Sequence, residues 1–148
     1  PKHTIDNPHP MPYLLQGQFN YPQQIGEKRM RILAVEDQPE YLEMLEEVMN
    51  AVGHTITIAT DGMQGLEKLK HEKIDVIGSD VKMPVMDGVE FHKQVRAMKE
   101  YANTPFIFLT GVKELDSVKN ACKADCDLML QKPFPVDKLL EMFSGQMK

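Results

Sequence analysis

The fold of this chain is decided by residues 31–62, which read RILAVEDQPEYLEMLEEVMNAVGHTITIATDG. The stretch opens with the apolar run 32–35, which has the length and composition of a strand buried on both faces. From Pro39 onward apolar residues recur at every third or fourth position, as on one face of a helix, and Gly53 follows as a stop signal. Residues 54–59 then alternate in the manner of a second strand. This order predicts a βαβ unit of a parallel sheet.

The remainder of the chain repeats the alternation of strand and helix. Further apolar runs with the length of strands lie at residues 74–79, 106–109 and 128–130. Further segments with the apolar period of helices lie at residues 63–69, 89–98, 115–123 and 136–143. Apolar strands that alternate with helices are typical of a parallel sheet covered on both faces. The sequence therefore predicts an α/β fold with a doubly wound five-stranded parallel sheet and five helices.

Composition excludes several classes of protein. The 148 residues carry a net charge of −5, which argues against direct nucleic-acid binding because phosphates require a basic surface. No apolar run approaches the roughly 18 residues of a membrane span, and no signal-peptide pattern opens the chain. Cys122 and Cys126 lie four positions apart without a second pair, and we interpret them as reduced thiols of a cytoplasmic protein.

The first 28 residues differ in composition from the rest. They contain five of the ten prolines, and their charged side chains sum to zero, so residues 29–148 carry the whole net charge of −5. No helical or strand period is visible among these prolines. We predict that residues 1–28 form a proline-rich linker or extension, and that residues 29–148 form one domain. A segment that packs its aromatic residues on a partner is the alternative for residues 1–28.

Polar side chains follow the predicted strands where each strand ends. Glu36 and Asp37 follow the first strand, Asp80 the third, Thr110 the fourth and Lys132 the fifth. The carboxyl ends of parallel strands meet at one edge of the sheet, so we expect these side chains to lie together. Clustered carboxylates repel one another unless a cation lies between them, and oxygen ligands favour Mg²⁺. A carboxylate beside Mg²⁺ can attack phosphorus, so the sequence predicts an aspartyl-phosphate site.

Four motifs and the spacing between them make residues 30–148 resemble the receiver domain of two-component response regulators, the CheY-like family. These motifs are ILAVED at residues 32–37, SDVKMPVMDG at 79–88, LTG at 109–111 and KPF at 132–134. The resemblance implies a flavodoxin-like fold with the strand order 2-1-3-4-5. It also identifies the domain predicted over residues 29–148 as the receiver domain.

The resemblance implies a role for each polar residue at the strand ends. Asp80 matches the phosphoacceptor, Thr110 matches the switch hydroxyl that moves to the phosphoryl group, and Lys132 matches the lysine that holds the phosphate. The peptide bond between Lys132 and Pro133 matches a cis bond in this family.

The same resemblance implies a Mg²⁺ site at the acidic cluster. Its protein ligands would be Asp37 directly, Glu36 mainly through water, Asp80, and the backbone carbonyl of Lys82. Mg²⁺ is accordingly the expected cofactor. Asp87 is not expected to be a ligand, and Gly88 is expected to provide a backbone shape.

The function implied by the resemblance is a signalling phosphoacceptor rather than a metabolic enzyme. Asp80 would take a phosphoryl group from a histidine kinase or a histidine phosphotransfer protein. Phosphorylation would then change the binding of an output protein to the face formed by the fourth helix, the fifth strand and the fifth helix. The chain would be either a free-standing regulator or the C-terminal receiver of a hybrid sensor kinase.

Alternative interpretations rest on two positions. Met129 stands where most of the family carry Tyr or Phe, so a phosphorylation-independent interaction domain of the same fold is the alternative function. An aspartyl phosphatase would need an acid two residues after its nucleophile, where this chain has Lys82.

His71 and His92 are expected to be exposed on helices and to take no part in the mechanism.

Overall fold

A computed structural model describes residues 29–144 as a central parallel sheet with helices on both faces. The strands are β1 (Arg31–Val35), β2 (Thr55–Ala59), β3 (Val76–Asp80), β4 (Phe106–Thr110) and β5 (Asp127–Gln131). Their order across the sheet is β2-β1-β3-β4-β5. The predicted doubly wound, flavodoxin-like topology is therefore confirmed.

The helices that connect the strands cover both faces of the sheet. They are α1 (Pro39–Ala51), α2 (Gly62–His71), α3 (Gly88–Arg96), α4 (Leu115–Ala121) and α5 (Val136–Phe143), with short 3-10 turns at Lys99–Tyr101 and Val112–Glu114. One apolar core lies beneath α1 and α5, and a second core lies beneath α2, α3 and α4. Within residues 29–144, none of these helices is both long and apolar enough to cross a bilayer.

Local sequence explains where three of the helices begin. Pro39 occupies the start of α1, where its missing N–H would have no partner in any case. The side chain of Asp61 accepts a hydrogen bond from the backbone N–H of Gln64 and caps α2 at 2.9 Å. Asp87 caps α3 in the same way through the N–H of Glu90, also at 2.9 Å.

Several element ends differ from the sequence prediction, and side-chain hydrogen bonds lie at two of them. Helix α4 ends at Ala121 rather than at residue 123, because the backbone N–H groups of Lys123 and Ala124 donate to the Asp127 carboxylate at 3.0 and 3.1 Å. Strand β3 begins at Val76 rather than at residue 74. Asp75, just before it, accepts a hydrogen bond from the backbone N–H of Arg31 at 2.8 Å and so pairs the entrance of β3 with that of β1.

The central strands explain why the sheet can lie between two apolar layers. All five residues of β4 are buried, so this strand has no solvent-facing side. Gly78 in β3 leaves space for the ring of Phe143 from α5, because a Cβ at this position would collide with that ring. The close approach of α5 to the sheet therefore depends on a residue without a side chain.

The prediction that His92 is exposed was wrong. Its imidazole is 7% exposed and packs against the rings of Phe106 and Phe108, with centroids 4.8 and 5.1 Å away. Its Nε2 lies 2.7 Å from an oxygen of Asp127. His71 is exposed as predicted. The prediction of a proline-rich linker over residues 1–28 falls outside the described residues.

Candidate functional site

Three carboxylates meet at the carboxyl edge of the sheet. Strands β1 and β3 are neighbours and Val35 pairs with Ser79, so the residues that follow these two positions lie side by side. Glu36, Asp37 and Asp80 each place an oxygen within 4.8 Å of the oxygens of the other two. Glu36 is fully buried, whereas Asp37 is exposed. The cluster therefore has one buried wall and one side open to solvent.

The ammonium of Lys132 lies against this cluster. Lys132 follows β5, and its backbone N–H donates to the carbonyl of Thr110 at 2.8 Å, which fixes the chain at this edge. Its Nζ donates to Oε1 of Glu36 at 3.1 Å and to Oδ1 of Asp80 at 3.3 Å. The peptide bond between Lys132 and Pro133 is cis, in agreement with the resemblance.

Burial and charge act in opposite directions on the ionisation of this cluster. Burial raises the pKa of Glu36, with a further contribution from the charge of Asp80, while the Lys132 ammonium opposes both. Burial alone would lower the pKa of Lys132, but the carboxylates of Glu36 and Asp80 outweigh it and hold that pKa above its usual value. Lys132 therefore remains protonated. Its single positive charge is not enough to balance the three carboxylates of the cluster.

The loop after Asp80 folds tightly around this carboxylate. The backbone N–H of Val81 donates to Oδ1 of Asp80 at 2.9 Å, and the N–H of Gly88 donates to the carbonyl of Val81 at 2.7 Å. A Cβ at Gly88 would collide with the carbonyl oxygen of Asp80, so only glycine allows this approach. The expected structural role of Gly88 has this physical basis, and Asp87 is engaged as the cap of α3.

Thr110 and Lys82 lie at the same edge but outside the contacts of the charged cluster. Thr110 is fully buried, and its hydroxyl donates to the carbonyl of Gly111 at 2.9 Å. That hydroxyl would have to rotate to reach a group on Asp80. Lys82 is exposed and, together with Asp37 and Met83, lines a cleft of about 570 Å³ beside the carboxylates.

Two features of the site were missed by sequence reasoning. The ring of Tyr41 lies against Lys132, with the ammonium nitrogen 4.1 Å from the ring centroid. Tyr41 follows Asp37 by four positions, which places it about one helical turn beyond the acids and could have indicated its proximity. Val85 has a φ of 72° and is 79% exposed, although branched side chains strongly disfavour this left-handed region.

The fold and the cluster agree with the comparisons to known proteins. A model of the response regulator receiver domain matches residues 32–144. The chain therefore belongs to the response regulator receiver domain family. It is similar to the sporulation initiation phosphotransferase F of Bacillus subtilis, with 32% identity over 109 residues that cover 74% of this chain and 86% of the relative.

Solved structures of receiver domains superimpose on this fold. The chemotaxis response regulator CheY4 of Vibrio cholerae is 31% identical, with a TM-score of 0.71 and coverage of 81% of this chain and all of that one. The receiver domain of a sensor histidine kinase from Pseudomonas aeruginosa, described with a magnesium ion in its active-site cleft, is 28% identical. Its TM-score is 0.70, with 80% of this chain and 99% of that one covered.

Some relatives are much longer than the matched region. The chain spans 48% of the length of the response regulator MprA of Mycobacterium leprae and 25% of the transcriptional regulatory protein ZraR of Klebsiella oxytoca. The similarity to these proteins therefore concerns only a part of each relative.

Proposed function

We propose that the chain is a phosphoacceptor that receives a phosphoryl group on Asp80 from a phosphohistidine of a histidine kinase or a histidine phosphotransfer protein. The observation that carries this proposal is the contact of Lys132 with both Glu36 and Asp80 inside a cluster of three carboxylates. A carboxylate beside an ammonium and two further acids can bind a phosphoryl group together with a divalent cation.

The donor set fits Mg²⁺. Three carboxylate oxygens within 4.8 Å of one another are hard ligands, and Asp37 is accessible from solvent. Glu36, Asp37, Asp80 and the backbone carbonyl of Lys82 would hold the ion, with Glu36 acting mainly through water. Bound Mg²⁺ would neutralise the charge of the carboxylates and of the phosphoryl oxygens.

The chain's own groups account for the remaining chemistry. A carboxylate oxygen of Asp80 attacks the phosphorus, the bond from phosphorus to the histidine nitrogen breaks, and the released imidazole takes up a proton. Lys132, already 3.3 Å from Asp80, donates to a phosphoryl oxygen. The Thr110 hydroxyl leaves the Gly111 carbonyl, turns towards the phosphoryl group and so carries the change to the end of β4.

The proposed output is a change in partner binding. Lys132 is bonded through its backbone to Thr110, and β4 pairs with β5 over the full length of both strands. A movement at Thr110 is therefore transmitted to the face formed by α4, β5 and α5, where we place the output protein. Met129 of β5 is 37% exposed on this sheet edge and takes the position of the usual aromatic switch residue.

Incubation with a small phosphodonor and Mg²⁺, followed by intact mass measurement, tests the proposal. We expect a gain of about 80 Da, the mass of one phosphoryl group. The gain should be absent after Asp80→Asn and after chelation of Mg²⁺, and it should persist after Asp125→Asn, which removes an exposed acid at the other end of β5. An unmodified wild-type mass would overturn the proposal and favour the phosphorylation-independent interaction domain.

A further inference from the structure

Tyr41 contacts the ammonium of Lys132 in addition to the two carboxylates. It lies in the first turn of α1, and its ring centroid is 4.1 Å from Nζ. A cation at this distance over an aromatic face is attracted by the negative charge of the ring face. Lys132 is thus enclosed by Glu36, Asp80 and Tyr41, and its side chain is only 14% exposed.

The ring of Tyr41 also packs against the loop that carries Lys132. Its centroid lies 6.2 Å from that of Phe134, at an interplanar angle of 49°. Phe134 is two residues after Lys132, so this contact ties α1 to the loop after β5. Tyr41 therefore contacts Lys132 directly and also fixes the backbone from which Lys132 extends.

Tyr41 is half-buried rather than part of the interior of the core. Its removal would leave the main apolar layers intact but would open one flank of Lys132 to water. A long lysine side chain without that wall can adopt other rotamers and hydrate its ammonium, at the expense of its contacts with Glu36 and Asp80. The contact with Tyr41 thus restricts Lys132 to the conformation that meets the acceptor.

We infer that Tyr41 is a positioning residue, whose ring face keeps the Lys132 ammonium at Asp80 ready for the incoming phosphoryl group. The inference rests on the proposed phosphoacceptor function of this site. It requires the ring and not the hydroxyl, because the contact is made by the ring face. Phenylalanine at position 41 should therefore preserve the contact with Lys132, and leucine should abolish it.

Phosphorylation kinetics with a small phosphodonor at saturating Mg²⁺ separate these variants. We expect Tyr41→Leu to lower the rate about tenfold, since a desolvated cation–π contact is of the size that changes a rate by that factor. Tyr41→Phe should retain the wild-type rate. A wild-type rate in Tyr41→Leu would overturn the inference, and so would an equal loss in Tyr41→Phe. Melting temperatures of both variants check for a general loss of folding, and a Tyr41→Leu deficit that disappears when corrected for the folded fraction would also overturn it.

A second experiment tests the contact without any phosphorylation. The chain has no tryptophan, so Tyr41→Trp introduces a single tryptophan, which can be excited selectively over the remaining tyrosines and can still accept the cation. Adding Lys132→Met to this variant should change the emission, whereas adding Lys113→Met at an exposed site should not. Identical emission with and without the Lys132 ammonium would refute the contact. If the wild-type chain takes up no phosphoryl group but this emission change occurs, the proposed function fails while the positioning contact stands.

Discussion

Val85 holds a backbone conformation that its side chain opposes. Its φ of 72° is in the left-handed region, where a branched residue is strained by its own Cβ substituents. The residue is 79% exposed, so packing of its side chain returns little of this cost. Three positions later Gly88 lies against the carbonyl of Asp80, which leaves the intervening loop little freedom to relax. The loop after Asp80 therefore carries local strain.

We predict that Val85→Gly stabilises the domain by about 1 kcal/mol, because glycine adopts a positive φ without a steric penalty. Urea denaturation monitored by circular dichroism would measure the free energy of unfolding. Val112→Gly is the matched control, since Val112 is also exposed but has no positive φ. We expect the control to be destabilised by roughly 0.5–1 kcal/mol. A loss of stability in both variants would contradict the strain at Val85.

His54 is a buried imidazole whose neutral form the fold requires. Its Nδ1 accepts the backbone N–H of Met30 at 2.9 Å, and its Nε2 is buried without a hydrogen-bond partner among the described residues. Burial lowers the pKa of His54, so the unfolded chain binds a proton more readily than the native one. The contribution of His54 to stability is therefore complete above the unfolded pKa of about 6.5 and is lost as the pH falls below it.

The contribution of His54 should accordingly lower the free energy of unfolding between pH 7.5 and pH 5.5, and His54→Asn should remove this contribution, whereas Glu36, whose pKa burial raises, acts in the opposite direction in both proteins. Asparagine can still accept the N–H of Met30 through its side-chain oxygen but does not titrate in this range. The measurement is urea denaturation at several pH values, with His71→Gln at an exposed position as the control. Parallel pH profiles for the wild type and His54→Asn would disprove the role of His54.

At the scale of elements, Asp127 joins α3 and α4 to the first residue of β5. Its carboxylate accepts hydrogen bonds from Arg96 at 2.6 Å and from the backbone of Lys123 and Ala124, and it lies 2.7 Å from Nε2 of His92. Burial would raise the pKa of Asp127, but the hydrogen bonds from His92 and Arg96 outweigh it and lower that pKa to about 2. The stabilisation is therefore present above about pH 4 and is lost as the pH falls through about 2.

We predict that Asp127→Asn destabilises the domain by about 3 kcal/mol, because it removes the charge that compensates a nearly buried arginine. The matched control is Asp125→Asn, which removes an exposed carboxylate two residues earlier and should change stability by less than about 0.5 kcal/mol. Both values follow from urea denaturation at neutral pH. Equal effects of the two substitutions would show that Asp127 does not hold these elements together.

The same region shows what sequence patterns could and could not predict. The apolar periods and the acids after the strands identified the sheet, the helices and the clustered carboxylates, because strand order alone brings these ends together. The end of α4 and the burial of His92 depend instead on Asp127, which is 35 residues from His92 in the chain. The burial of a polar residue beside an apolar helix face cannot be predicted without knowing the distant residue with which it pairs. The contact between Tyr41 and Lys132 was missed for the same reason.

At the scale of the whole molecule, a cation held by the acidic cluster would couple its binding to folding. Three carboxylates lie together and the Lys132 ammonium contacts two of them, so their mutual repulsion opposes the folded state without a bound cation. The unfolded chain separates these groups and removes that cost. A cation that binds only the assembled site therefore stabilises the entire domain, by an amount that its concentration determines.

We predict that Mg²⁺ at about one hundred times its dissociation constant raises the free energy of unfolding by about 2.7 kcal/mol. Asp37→Asn should abolish this increase, and it should also stabilise the metal-free protein because it removes one of the repelling charges from an exposed position. Asp116→Asn, another exposed acid, should leave the response to Mg²⁺ unchanged. Urea denaturation with Mg²⁺ or with a chelator gives all three values. An equal Mg²⁺ response in the wild type and in Asp37→Asn would show that the ion does not bind at this cluster, whatever the outcome of the phosphorylation experiment.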